Sequence, residues 1–370
     1  MKIGIDARIL SEKNIAGVGV YLINILKWIV NDEKYNKNEY YLYSHKNINI
    51  DDSIKKHFIC RKVEAKNGTY AIRYKLPSYI KKDGIDIFWG PAHLLPKKVK
   101  GIKYIVTIHD LALLINPKWG ERYNALIQNL FIRKCIRESD KIIAISKCTK
   151  QDIMKYSDNK QLNIKTIYNG GPYLVEDDVK KEIIDKFKLE DKYFLYVGTI
   201  EPRKNIETII KAFEQFCESE KDYKLVLAGK LGWKYNYILK KINSSKVKEK
   251  IILTGYISDE EKKALFLYST AFLYASHYEG FGIPVLEAMS MRTVVISSNN
   301  SALLEVLGEA GLQVDNENDY ILFSDMMKQV VSFTPNERNM QIEKEIKQID
   351  KFSWTKCAKE TLDYICDDFK

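Results

Sequence analysis

The sequence predicts an α/β protein of two domains, each built on a parallel sheet. Short apolar runs that end in polar or Gly-containing turns, each followed by a helical pattern, recur along the chain and restart near its middle. A chain-turning cluster, Asn169-Gly170-Gly171-Pro172, separates the two series. The length of 370 residues suits two cores of ordinary size rather than one.

In order, Lys2–Asp6 reads as the first strand and Tyr21–Val30 as a helix with a broad apolar face. Between them lies a loop containing Gly17 and Gly19, an order that suits a phosphate cradle. Tyr40–Tyr43, Ile85–Trp89 and Ile102–Ile108 read as further strands. The last ends in His109-Asp110, where open parallel sheets bind ligands. Asp110 either orients His109 or caps the next turn. Ile142–Ser146 is another strand, with Ser146 as the cap of the helix that follows, and Ile164–Tyr168 precedes the turning cluster. A charged, helix-like link spans Val175–Asp191.

The grammar then restarts. Tyr193–Val197 is a strand, Gly198–Asn205 a turn carrying Arg203 and Lys204, and Ile206–Phe216 a helix. Lys224–Gly229 and Ile251–Tyr256 follow as strands, and Ser258 or Asp259 caps the helix after the second. Ala271–Ala275 is a buried strand. It leads through Gly280, Phe281 and Gly282 into a helix opened by Ile283-Pro284, since proline is tolerated in a first helical turn. Strand, glycine turn and helix N-terminus make a ready anion site. Glu279 on the turn and Glu287 inside the helix frame it, placed to meet sugar hydroxyls rather than phosphate. If that helix ends in a left-handed residue, Arg292 there costs roughly 1 kcal/mol more than glycine would. Thr293–Ser298 is the next strand, and the tail from Phe352 is an amphipathic helix.

Composition bounds the rest. A 45% hydrophobic and 29% charged content fits a globular protein. Asp6 and Arg8 interrupt the first apolar run, so no signal peptide is expected. The absence of a long uncharged apolar run argues against a membrane span. The six cysteines have neither C-x-x-C pairing nor metal-ligand spacing, which suggests a reduced, cytoplasmic setting and no metal site. Residues 1–170 hold 31 Lys and Arg against 16 Asp and Glu, a net of +15, while the whole chain is +10. A basic first half suggests an anionic partner there, or simply a lysine-rich solvated surface. Segment 68–82, with Arg73, Lys75, Lys81 and Lys82 among Tyr70, Ile72, Tyr74, Leu76, Tyr79 and Ile80, could form a basic amphipathic helix for an anionic membrane surface, started or kinked by Pro77. Nothing matches a nucleic-acid-binding module, so no nucleic-acid partner is expected.

Two strings carry a family resemblance. Glu279 and Glu287, seven residues apart within EGFGIPVLEAM, resemble the EX7E signature of retaining glycosyltransferase family 4, and Gly198–Asn205 resembles its G-x-x-x-x-R-K-N turn. The first string departs from the family after Met289, where Met291-Arg292-Thr293 replaces a Gly-x-Pro pattern. The resemblance implies the GT-B fold: two Rossmann-like parallel-sheet domains facing a cleft, with the C-terminal helix crossing back to the first domain. It sets the domains at 1–172 with 353–370, on the acceptor side, and 173–352, on the nucleotide-sugar side. It implies that Arg203 and Lys204 stabilise a departing diphosphate without a metal, and that Glu279 binds the donor sugar. It further implies that Glu287 holds the ribose and that Gly280–Ile283 meet diphosphate or sugar. Gly198 shapes the motif turn and Gly255-Tyr256 border the base. Gly17 and Gly19 would face the cleft near the acceptor and the donor phosphates, and His109 would lie near the donor sugar and the leaving phosphate.

The expected activity is hexosyl transfer from a nucleotide-diphosphate sugar to a glycan or a polyprenyl-diphosphate-linked acceptor in surface polysaccharide synthesis. The string Tyr278–Met289 looks most like the mannosyltransferase branch, which favours GDP-mannose over UDP-sugars and dTDP-rhamnose. No other cofactor is implied. The expected location is the cytoplasm, with contact at the inner membrane face through the first domain. The alternatives are a UDP-sugar epimerase of the same architecture and a non-catalytic scaffold that binds sugar nucleotide.

Overall fold

Strands that are buried on both faces need apolar residues throughout, and the central strands of both sheets show this directly. The computed structural model describes residues 1–12, 15, 17–65, 67–157, 159, 161–172, 179–189 and 192–367. Within them the chain divides into two units: Met1–Pro117 with Arg122–Gly170 and Phe352–Lys370, and Lys118–Glu121 with Gly171–Lys351. The two ends of the link Val175–Asp191 lie outside the described residues; inside them it holds a 3-10 turn at Lys181–Phe187.

The first unit carries strands β1 (Lys2–Asp6), β2 (Glu39–Ser44), β3 (Ile59–Lys62), β4 (Ile87–Gly90), β5 (Lys103–Ile108), β6 (Lys141–Ala144) and β7 (Ile164–Thr166), ordered β3-β2-β1-β4-β5-β6-β7. Every adjacent pair is parallel. Its longer helices, the C-terminal one aside, are α1 (Val18–Asn31), α2 (Leu76–Asp83), α3 (Arg122–Glu138) and α4 (Lys147–Tyr156). Ser146 caps α4 by accepting from the Thr149 N–H.

The C-terminal helix, Trp354–Cys366, belongs to this first unit. Ser353 caps it, and Cys357, Ala358, Leu362 and Ile365 enter the core that contains Ile3, Ile5, Leu22 and Trp89. Lys141 Nζ donates to the Tyr364 carbonyl at 2.8 Å. Gly170 passes so near Trp354 that a Cβ there would lie 2.3 Å from its ring.

Segment 68–83 is helical throughout, with a π turn at Ala71–Lys75 just ahead of Pro77. Pro77 has no N–H for the Arg73 carbonyl four residues back, and the Lys97 N–H takes that carbonyl instead, at 3.1 Å. The side chains correct the expected basic surface. Ile72, Leu76 and Ile80 are buried. Arg73 is buried too, donating to the carbonyls of Leu95 and Pro96 and to Glu138. Arg73 is therefore structural.

The second unit carries β8 (Tyr193–Val197), β9 (Lys224–Ala228), β10 (Ile251–Gly255), β11 (Ala271–Tyr274), β12 (Val295–Ser298) and β13 (Leu312–Val314), ordered β10-β9-β8-β11-β12-β13. Counted within the unit this is the doubly wound 3-2-1-4-5-6 order, whose direction reverses between β8 and β11. Its helices are α5 (Ile206–Phe216), α6 (Tyr235–Ser244), α7 (Asp259–Leu267), α8 (Ile283–Ser290), α9 (Leu303–Leu307), α10 (Tyr320–Ser332) and α11 (Pro335–Ile349). Ser258 caps α7 in a capping box with Glu261. Arg292 lies just past α8 at φ +57°, the left-handed end expected there.

Glu345 of α11 is wholly buried; one carboxylate oxygen accepts from the Val295 N–H and the Gln341 amide, and the other has no partner among the described residues. Burial pushes its carboxyl up to about 8 from an ordinary 4.5. A raised acid pKa means that the stabilising, protonated form is fully present below pH 4.5 and is lost as pH rises through 8. Glu345→Gln is therefore expected to stabilise the protein at pH 8 by about 1–3 kcal/mol and hardly at all near pH 4.5. Urea unfolding at both pH values checks this; an equal effect at both would refute it.

Candidate active site

Ligands of doubly wound sheets sit beyond the strand ends where the order reverses. In the second unit those ends are β8, which runs into the turn Gly198–Asn205, and β11, which runs into Ala275–Gly282. The β8 turn is held by Tyr196, whose hydroxyl donates to the Thr199 carbonyl at 3.0 Å. Asn205 ends it in the left-handed region at φ +50°, which asparagine tolerates, and opens α5.

The two turns meet in one buried knot. Lys204 Nζ donates to Glu279 Oε1 at 2.5 Å and to the Tyr274 hydroxyl at 2.9 Å. Tyr274 and Ser276 donate to the same Oε1 at 3.0 and 2.6 Å. Arg203 reaches Glu279 Oε2 and the Tyr278 carbonyl through one nitrogen and Glu201 through another. The Glu279 N–H donates to Ser301 Oγ at 3.0 Å. Glu279 and Lys204 are 7% and 8% exposed, so both charges are largely removed from water.

Burial alone would raise the Glu279 carboxyl. Lys204, Arg203 and the hydrogen bonds outweigh it and hold the group at about 2. Burial pulls Lys204 below the ordinary lysine value, against the attraction of Glu279. Burial also lifts the hydroxyls of Tyr274 and Tyr196 far above theirs, so both remain donors.

Gly280, Phe281 and Gly282 follow directly, Gly282 capping α8 at φ +117° with Ile283 as its first residue. Glu287 lies one turn further on, outside the knot, and accepts from Lys262 Nζ of α7 at 2.6 Å. The two acids therefore stand in separate ion pairs. Gly255 sits at φ +69°, and Tyr256 is exposed with Lys230 Nζ 5.1 Å from its ring centre. Gly198 is at φ +154°, and the Gly198 carbonyl lies against Gly229.

In the first unit, His109 directly follows β5 and is 7% exposed. Its Nε2 lies 2.8 Å from the Pro91 carbonyl, which can only accept, so Nε2 carries the proton. His93 Nε2 accepts from the His109 N–H, and the two rings stack at 5.4 Å. Burial, then the neighbouring His93, pulls His109 down to about 3, a neutral imidazole at physiological pH. Asp110 accepts from the Ala112 N–H and so caps the turn. Gly17 caps α1 at φ +50° and Gly19 lies in its first turn. Two residues on, Tyr21 meets the His109 ring edge-on at 5.1 Å, which ties the glycine loop to that histidine.

Sequence reasoning missed Tyr274, Ser276, Ser301, Lys262 and His93. Tyr274 and Ser276 did carry a signal, as polar groups at the end of a buried strand just before Glu279. Ser301 and Lys262 reach Glu279 and Glu287, and His93 reaches His109, from other segments of their own units.

Two nucleotide-binding-type sheets and a cation–carboxylate knot at the second sheet's reversal point define a glycosyltransferase of the GT-B type. The chain belongs to glycosyltransferase family 4: a model described as "Glycosyltransferase Family 4" matches residues 50–170, and one described as "Glycosyl transferases group 1" matches residues 179–348. It is thus an enzyme, a hexosyltransferase. It is similar to O-antigen chain mannosyltransferase B of Escherichia coli, 28% identical over 281 residues, which cover 75% of this chain and 73% of that one. It is 30% identical over 274 residues to serotype-specific mannosyltransferase WbdA of Escherichia coli, covering 70% of this chain but 33% of WbdA, so it spans about a third of that relative. Among solved structures, sucrose-phosphate synthase from Thermosynechococcus elongatus shares the fold with a TM-score of 0.77 at 17% identity, over 100% of this chain and 99% of that one.

Proposed function

We propose that the protein is a retaining, metal-independent mannosyltransferase that uses GDP-mannose and extends a polyprenyl-diphosphate-linked surface polysaccharide at the cytoplasmic face of the membrane. The observation that carries the reading is the convergence of Arg203 and Lys204 on Glu279 beside the N-terminus of α8. The mannosyltransferase names of the relatives favour the donor.

As the glycosidic bond breaks, its electron pair passes to the β-phosphate oxygen. Two fixed cations and a helix N-terminus stabilise that charge as a divalent metal would. The acceptor hydroxyl attacks the anomeric carbon from the leaving group's side, and its proton passes to the departing phosphate. Glu279 does not serve as nucleophile in this scheme. Its Oε1 already accepts three hydrogen bonds, and its charge is held by two cations. Its role is to fix Arg203 and Lys204, with Oε2 turned to a sugar hydroxyl. Glu287 and Lys262 bind ribose, and Tyr256 borders the base. Neutral His109, whose Nε2 proton goes to the Pro91 carbonyl, offers only Nδ1, as an acceptor, and moves no proton.

The test offers GDP-mannose, UDP-glucose and dTDP-rhamnose with and without a polyprenyl-diphosphate-linked glycan, with chelator present. Acceptor-dependent GDP release and a product that keeps the donor's anomeric configuration are expected. Epimerised donor without acceptor, binding without turnover, inversion, or strong inhibition by chelator would each refute the corresponding part.

A further inference from the structure

Helix α3 presents a second surface that the transfer chemistry does not use. Ala125, Ile132, Cys135 and Ile136 face the core. On its outer side Tyr123, Leu126 and Leu130 are 72%, 60% and 61% exposed. At 3.6 residues per turn, Arg122, Tyr123, Leu126, Leu130, Arg133 and Arg137 fall on one stripe. No acid shares it; Glu138, on the flank, pairs with Arg73. Arg133 also donates to the Tyr156 carbonyl at the end of α4, where Met154 and Lys155 are exposed.

Exposed leucines in register are unusual on a helix that only covers a sheet, and such patches mark contact surfaces. We infer that this stripe docks the enzyme on an anionic lipid surface. The arginines suit lipid phosphates, and their apolar stems with the two leucines and the tyrosine suit the headgroup–acyl boundary. A nucleic-acid backbone would match the cations but leave the leucines without a partner. The first 170 residues carry the net +15 that draws the unit to such a surface. The seat is therefore α3 rather than segment 68–83, whose apolar side is already spent in the core. The inference deepens the proposed lipid-linked acceptor, but its test uses neither donor nor acceptor, so the two fail separately.

The test is co-sedimentation of the full chain with vesicles of phosphatidylcholine alone or mixed with phosphatidylglycerol. Binding is expected only to the mixed vesicles and weakens with salt. Leu126→Glu with Leu130→Glu, and separately Arg122→Gln with Arg137→Gln, should each reduce it at least about tenfold. Tyr70→Glu with Tyr74→Glu should leave it unchanged. All these side chains are exposed, so unaltered melting temperatures confirm that the variants fold. The inference is overturned by no binding to the mixed vesicles, equal binding to phosphatidylcholine alone, retained binding in both stripe variants, or light scattering showing a dimer that Leu126→Glu dissociates. Binding to RNA or duplex DNA that the same substitutions abolish, without vesicle binding, would also overturn it.

Discussion

Glu279→Ala is expected to reduce turnover by about 30- to 1000-fold, the equivalent of roughly 2–4 kcal/mol of lost charge stabilisation. It should also destabilise the second unit by about 3–5 kcal/mol, because it leaves the buried Lys204 ammonium without its counter-charge. Urea unfolding with kcat measured on the folded fraction separates the two effects. Glu279→Gln keeps the shape but offers Lys204 and Arg203 no charge. Pairing it with Lys204→Met should recover much of the stability, since both partners of the pair are then neutral, and none of the turnover. Glu279 titrates at about 2 in the folded chain against an ordinary 4.5, so its stabilisation is present above pH 4.5 and is lost as pH falls through 2. The glutamine variant should lack that acid-side slope. A Glu279→Gln enzyme turning over within about threefold of the parent would dismiss the knot from the mechanism.

Gly229→Ala should be the most damaging single-methyl change near the site. Gly229 sits at φ +145°, and a Cβ there would lie 1.9 Å from the Gly198 carbonyl oxygen. The obstacle is backbone, so no side chain can swing aside. Relief requires moving the β8 turn that carries Arg203 and Lys204. The expected cost is at least about 3 kcal/mol, or a fall in melting temperature of about 6–12 °C, with activity falling in parallel. A variant that melts with the parent would show that the two turns can part without harm.

Much of this was legible because parallel strands buried on both faces leave unbroken apolar runs, as Tyr193–Val197 and Ala271–Tyr274 do. Where that pressure is absent the reading failed. Strand β3 lies at a sheet edge with all four residues exposed and reads as basic loop. Helix α3 was not predicted: its leucines lie on the outer side and blur the apolar period that marks an ordinary surface helix. Helix α11 gives no clear apolar period for a different reason: Gln341, Glu345 and Gln348 stand on its buried side. At the site, motif spacing found Arg203, Lys204 and Glu279. Their meeting depends on β8 lying beside β11, which no local pattern encodes. Tyrosine and serine are ordinary strand residues, so Tyr274 and Ser276 drew no notice as partners. The spacing of Glu279 and Glu287 suggested a framing pair, and only side-chain directions show that each has its own cation.

The return of Trp354–Cys366 to the opening core sets an order of assembly. A nascent chain leaving the ribosome has the first seven strands long before it has Cys357, Ala358, Leu362 and Ile365. Until those arrive, Ile3, Ile5 and Leu22 lack part of their cover. The unit begun first during synthesis is thus completed last, after the whole of the second has been translated.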